Sequence, residues 1–189
     1  MKTLSLGCSD SGEDSAWSEL IAGDRSALEF IYKTYISQLF RYGCAMLDDK
    51  DEVKDHIQEV FIDIWKYHSS LRPTDNVKIY LFRCLSNKIY NASKDNRKRK
   101  MINEDHAMEL DMAFESAESY LINHSREEHI QKKLAKELAR LPMRQKEVIN
   151  YLFFEDFNYE QTSHLMNINL KSVYTLAWKA ISSLKKGFN

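Results

Sequence analysis

The sequence predicts an all-α chain of two small helical domains, and three observations carry that reading. Apolar residues recur at the spacing of one helical face in one stretch after another. The 189 residues include only five glycines and two prolines, too little punctuation for a turn-rich sheet fold. The stretches between breaks are rich in Ala, Leu, Glu, Lys, Gln and Ile, which favour helix. Hydrophobic residues make up 43% of the chain and charged residues 29%. That is enough for packed cores in one ordinary domain or two small ones.

In chain order, residues 1–19 read as a polar N-terminal extension. The segment 27–47 follows, with Leu28, Ile31, Tyr35, Leu39 and Tyr42 at helical spacing. The break at 47–51 offers Asp49 or Asp51 as N-cap for the next helix. In that helix, DEVKDHIQEVFIDIWK, the residues Val53, Ile57, Val60, Phe61, Ile64 and Trp65 form an apolar stripe. Asp55, Gln58, Glu59 and Lys66 fall on the other side, and so does the aliphatic Ile62. A loop at 68–76 contains Pro73. A third long helix spans 77–100, with Ile79, Phe82, Leu85 and Ile89 facing inward and a basic block at its C-terminal end.

Net charge is −1, but the sum hides a sharp asymmetry. SKDNRKRK carries Lys94, Arg97, Lys98, Arg99 and Lys100 against one acid; the next segment carries Glu104, Asp105, Glu109, Asp111, Glu115 and Glu118 and no cation. Residues 101–127 therefore read as an acidic linker. They separate a module at 20–100 from a second at 128–189. The second module opens with Ile130, Leu134, Leu138 and Leu141 in helical series. Pro142 ends that helix and starts the next, MRQKEVINYLFF. Asn158 with Gln161 forms a capping box for a short helix, and Asn169 caps the last one after a break at 167–169.

Tyr159, Leu165, Ile168, Val173 and Ala177 have the spacing by which two short helices cross over a small core. The second would present Lys171, Ser172, Tyr174, Thr175 and Lys179 outward, as a major-groove reader needs. An internally packed helical hairpin has the same local pattern, and this helix has no arginine to read guanine. The basic block suits phosphate contact, although a helix C-terminus alone favours cations. Before it, Tyr80, Asn87, Lys88, Tyr90 and Asn91 mix stacking surfaces with amide hydrogen-bonders, as an unpaired strand requires. Tyr80 and Tyr90 fit a core equally well.

Enzymatic chemistry finds no support. The six histidines form no ligand pair, and no glycine-rich phosphate loop or nucleophile elbow occurs. Cys8, Cys44 and Cys84 have neither metal-ligand spacing nor an even count. No catalytic residue, metal, cofactor or small-molecule substrate is expected. The start MKTLSLGC has only Leu4 and Leu6 where a signal peptide needs a continuous apolar region, and no later run approaches a membrane span. A reducing cytoplasm is the expected location.

Together the segments resemble the extracytoplasmic-function (ECF) group of sigma-70 family RNA polymerase sigma factors. LIAGDRSALEFIYKTY is similar to the family's opening motif. Asp55, Gln58, Glu59, Phe61 and Trp65 match D-x-x-Q-E-x-F-x-x-x-W of its region 2, and the stretch from Leu141-Pro142 to the last helix follows region 4. The resemblance implies a region 2 bundle of three to four helices at 20–100 and a region 4 helix-turn-helix at 128–189. It implies that Asp55, Gln58, Glu59, Ile62 and Lys66 meet the β′ clamp helices of core polymerase. Tyr80, Asn87, Lys88, Asn91, Lys94, Arg97 and Lys98 would lie at the −10 strand. Lys171, Ser172, Tyr174, Thr175 and Lys179 would face the −35 groove, with region 4 on the β flap. Core polymerase, promoter DNA and an anti-sigma factor are the partners so implied. The chain departs from the family pattern at Tyr80 for Trp, Asn91 for Asp, Thr162-Ser163 for Ile-Ala, Asn167 for Gly, and Leu176 for Arg. The rival readings are a helix-turn-helix regulator that acts without polymerase and a sigma-like interaction module.

Overall fold

The computed structural model describes residues 10–102 and 124–188, and all regular structure among them is helical. Eight α-helices run in order: α1 (Asp10–Ile21), α2 (Arg25–Met46), α3 (Lys50–Lys66), α4 (Val77–Ile102), α5 (His124–Arg140), α6 (Met143–Ile149), α7 (Tyr159–Met166) and α8 (Leu170–Phe188). A 3₁₀ turn at His68–Ser70 follows α3, and a π-helical turn at Asn150–Phe154 follows α6.

The first four helices form one bundle. Asp24 caps α2, its carboxylate accepting from the Ser26 amide at 2.8 Å and the Ser26 hydroxyl at 2.7 Å; these bonds hold its pKa below the usual carboxylate range. Asp49 caps α3 through the Asp51 and Glu52 amides, and the acids at 51 and 52 suit the positive end of the helix dipole. The polar extension read over 1–19 is corrected in its second half. Residues 10–21 are helical because Ala16, Trp17 and Leu20, although few, all fall on one face and are buried there. The Trp17 indole N–H donates to the Arg72 carbonyl at 3.1 Å, and its ring lies 5.0 Å from that of Tyr80.

At Gly43, α2 approaches α3 without room for a side chain. A Cβ there would press on the whole branched side chain of Val53, which is fully buried. The near methyl is the one that must give, and Val53 is fully buried, which leaves it little space to turn into. Gly43→Ala should therefore cost about 1–3 kcal/mol of overpacking, outweighing the helix-propensity gain of about 0.5–1 kcal/mol. Thermal melting of the variant checks this.

The second module packs α6, α7 and α8 about Val148, Ile149, Leu165, Val173, Ala177 and Ala180. Asn158 and Gln161 form the expected capping box, at 2.8 and 2.9 Å. Asn167 takes the left-handed conformation (φ 50°), which asparagine tolerates where most side chains are strained. Ser163 donates to the Ile168 carbonyl at 2.6 Å and so fastens the turn. Asn169 accepts from the Ser172 amide. The helix expected through 154 instead changes pitch at Asn150. The π turn swings Tyr151, Glu155 and Phe157 inward against α2 and α4, where all three are buried.

That turn joins the halves. The Tyr42 and Tyr151 hydroxyls meet at 2.9 Å with their rings stacked 5.2 Å apart, and Phe82 and Phe157 close around them edge-on. Glu147 accepts from Ser86 at 2.7 Å and from Arg144 at 3.0 Å. Glu155 is buried and accepts from Arg41 at 2.6 Å, while Lys78 donates to its backbone carbonyl at 2.8 Å and lies 3.5 Å from its carboxylate. Burial, then the neighbouring Tyr151 and Glu147, push the Tyr42 hydroxyl well above the usual tyrosine range; burial and Glu147 do the same to Tyr151.

Candidate functional site

Helix α3 presents two unlike faces. Val53, Ile57, Val60, Phe61 and Ile64 are buried. Trp65, read with that stripe, instead sits at its margin, exposed and stacked on His68 at 5.1 Å. At about 100° per residue, Asp55, Gln58, Glu59, Ile62 and Lys66 fall within an arc of about 100° opposite the buried stripe. All five are exposed, Ile62 at 63%.

Along α4, Asn87, Tyr90 and Asn91 are exposed, and Arg144 lies over the Tyr90 ring at 5.7 Å. Tyr80 is half-buried against Trp17, and burial together with Cys84 pushes its hydroxyl up to about 12. It therefore has little ring surface left for a strand. Lys88 is held at 2.8 Å from Asp63 and 3.3 Å from Glu59, which raise its pKa against a smaller opposing effect of burial. One predicted strand-facing cation and one predicted polymerase-facing acid are thus joined across the α3–α4 groove, and the two surfaces adjoin. The side chains of Lys94, Arg97 and Lys98 lie outside the described residues, as do residues 103–123 of the acidic segment.

The last two complete helices make the expected helix-turn-helix. On α8, Val173, Ala177 and Ala180 are buried, while Lys171, Tyr174, Thr175 and Lys179 are exposed and Ser172 is half-buried. Tyr174 stacks on Tyr159 of α7 with ring centroids 4.3 Å apart. Thr175 donates its hydroxyl to the Lys171 carbonyl at 2.9 Å. Sequence reading missed Trp178, which is 69% exposed on the same outward face. Its position two helical turns beyond Lys171 was the available signal, overlooked because an aromatic in a helix counts by default toward the core.

Among the described residues no cluster of His, Cys, Asp and Glu could hold a metal ion. No described helix is long and apolar enough to cross a membrane. Cys44 and Cys84 are free thiols.

Residues 31–99 match the family model described as Sigma-70 region 2. The ECF RNA polymerase sigma factor SigM of Bacillus subtilis (strain 168) is 24% identical over 162 residues, which cover 86% of this chain and 95% of SigM. Among solved structures, the sigma factor RpoE in complex with the anti-sigma factor NepR from Bartonella quintana has a TM-score of 0.64 and 18% identity; the match covers 83% of this chain and 93% of that one. CnrH, solved with the cytosolic domain of CnrY, has a TM-score of 0.65 and 15% identity over 93% of this chain and 96% of CnrH.

Proposed function

We infer that the chain is an alternative sigma factor of the ECF group of the sigma-70 family, on the region 2 match over residues 31–99 and the likeness to SigM along most of its length. It binds core RNA polymerase in the cytoplasm and directs promoter recognition, DNA melting and transcription initiation, with no catalytic residue of its own. The observation that carries this reading is the exposed face of α3, which lies within the matched region 2 segment and opposite a fully buried stripe. Asp55, Gln58, Glu59, Ile62 and Lys66 dock on the β′ clamp helices.

The adjoining surface on α4 holds the unpaired −10 strand. Asn87 and Asn91 offer amide edges, and Lys94, Arg97 and Lys98 supply cations along its path. Helices α5–α8 act as region 4, with α8 in the major groove of a −35 duplex. The partners are core polymerase, promoter DNA and an anti-sigma factor that covers the docking surfaces until release.

Run-off transcription with purified chain and core polymerase on genomic templates tests the proposal. Promoter-specific transcripts support it. Duplex binding without polymerase would make the chain a regulator, and polymerase binding without initiation an interaction module. Asp55→Ala with Gln58→Ala should weaken polymerase binding about tenfold, as loss of a docking hot spot does. Both residues are exposed, so stability should stay within about 0.5 kcal/mol of the parent. A large fall in melting temperature would instead make them structural.

A further inference from the structure

We propose that Trp178 is a specificity-determining residue, and that α8 reads thymine methyl groups rather than guanine edges in its duplex target. This rests on the assignment of α8 to a DNA major groove.

Lys171, Tyr174, Thr175 and Trp178 stand at i, i+3, i+4 and i+7, one continuous outward strip of the helix, and all four are exposed. A groove-reading helix uses this spacing to reach successive base edges. Three of the four groups are apolar where they face out. The Tyr174 ring is held by its stack on Tyr159, so its orientation is set before DNA arrives. Thr175 turns its hydroxyl to its own helix backbone, which leaves its methyl group for the groove. Trp178 offers an indole with 69% of its surface in water.

Charge identifies the occupant. Helix α8 contains Lys171, Lys179, Lys185 and Lys186 and no acidic residue, which suits a polyanion. It also contains no arginine, asparagine or glutamine, the side chains that pair bidentately with guanine or adenine. Of the groups a base pair shows in the major groove, only the thymine C5-methyl is met by apolar contact. Lysines for phosphates around an aromatic and methyl strip are complementary to a thymine-rich duplex.

Deoxyuridine in place of thymidine removes that methyl group and leaves pairing and the O4 acceptor intact. Holoenzyme reconstituted from the full chain and core polymerase would first select a duplex element upstream of a fixed −10 sequence. The element would then be remade with deoxyuridine. The selected element should carry thymines, and each contacted methyl removed should weaken wild-type binding about fourfold. At the thymine that Trp178 meets, Trp178→Ala should bind the thymidine and deoxyuridine forms alike, at the weaker level, while thymines met by Tyr174 and Thr175 keep their methyl dependence. Trp178→Phe should recover part of the difference.

A guanine-anchored element indifferent to deoxyuridine would overturn the proposal. So would equal weakening of Trp178→Ala on every duplex, random sequence included, which would mark a phosphate or protein contact. Failure to initiate on any template would sink the sigma assignment instead, and the same pair of duplexes titrated with the free chain would still decide the role of Trp178.

Discussion

Replacing Phe82 by alanine should lower stability by about 3–5 kcal/mol, the range for deleting a buried phenyl ring. Phe82 is fully buried on α4. Its ring lies 5.3 Å from Tyr42 of α2, 6.4 Å from Tyr151 of the π turn and 5.3 Å from Phe157 beyond it. Those neighbours come from both halves of the chain and are themselves buried, so none can move far to fill the space. Alanine removes aromatic edge contacts with three rings together with the transfer energy of the phenyl group. Calorimetry of the full chain should show a single transition for the parent and a single, lower one for the variant. Two separated transitions in the parent would mean that the shared core does not couple the halves.

The second large effect concerns charge. The Glu155 carboxylate is almost completely buried, with only Arg41 and Lys78 as cationic neighbours among the described residues. Changing both to alanine leaves a buried anion without a counter-charge, which should cost about 3–5 kcal/mol. Lys78 also leaves the Glu155 carbonyl without its donor and uncovers the Phe157 ring, over which its ammonium sits at 4.8 Å. Adding Glu155→Gln should restore much of the loss, because a neutral amide needs no counter-charge. Failure of the triple variant to recover would show that packing by the two long side chains, rather than the uncompensated charge, sets the cost. Urea titrations of the single, double and triple variants form the cycle that separates these.

Much of the fold follows from local patterns. Helix α3 was legible because apolar residues recur in every turn and its N-cap is an aspartate, and the helix-turn-helix because Asn158, Gln161 and Asn169 carry their capping chemistry locally. Helix α1 was not, since its four apolar residues, Ala16, Trp17, Leu20 and Ile21, crowd its last two turns and make a weak period after Asp, Ser, Gly and Glu. The π turn was hidden for a different reason. It exists because Tyr151, Glu155 and Phe157 find partners on α2 and α4, and the Arg41–Glu155 pair joins residues 114 positions apart. No window of sequence contains both ends of such a contact. The α3 face could be named from periodicity together with the family motif, whereas the Lys88 link to Asp63 and Glu59 depends on how two helices cross.

A partner that docks only when the halves separate must first break the seam of stacked tyrosines, Tyr42 on Tyr151. A partner that requires the halves apart meets only the parted fraction, so its apparent Kd is its intrinsic Kd divided by that fraction. If one molecule in about a hundred is parted, binding is about a hundredfold weaker than the docking surface alone would give. Loosening the Tyr42–Tyr151 seam then moves two observables in opposite directions: the melting temperature falls while affinity for such a partner rises. A ligand that clamps the closed form has the reverse signature, raising the melting temperature and weakening the partner without touching its contact surface.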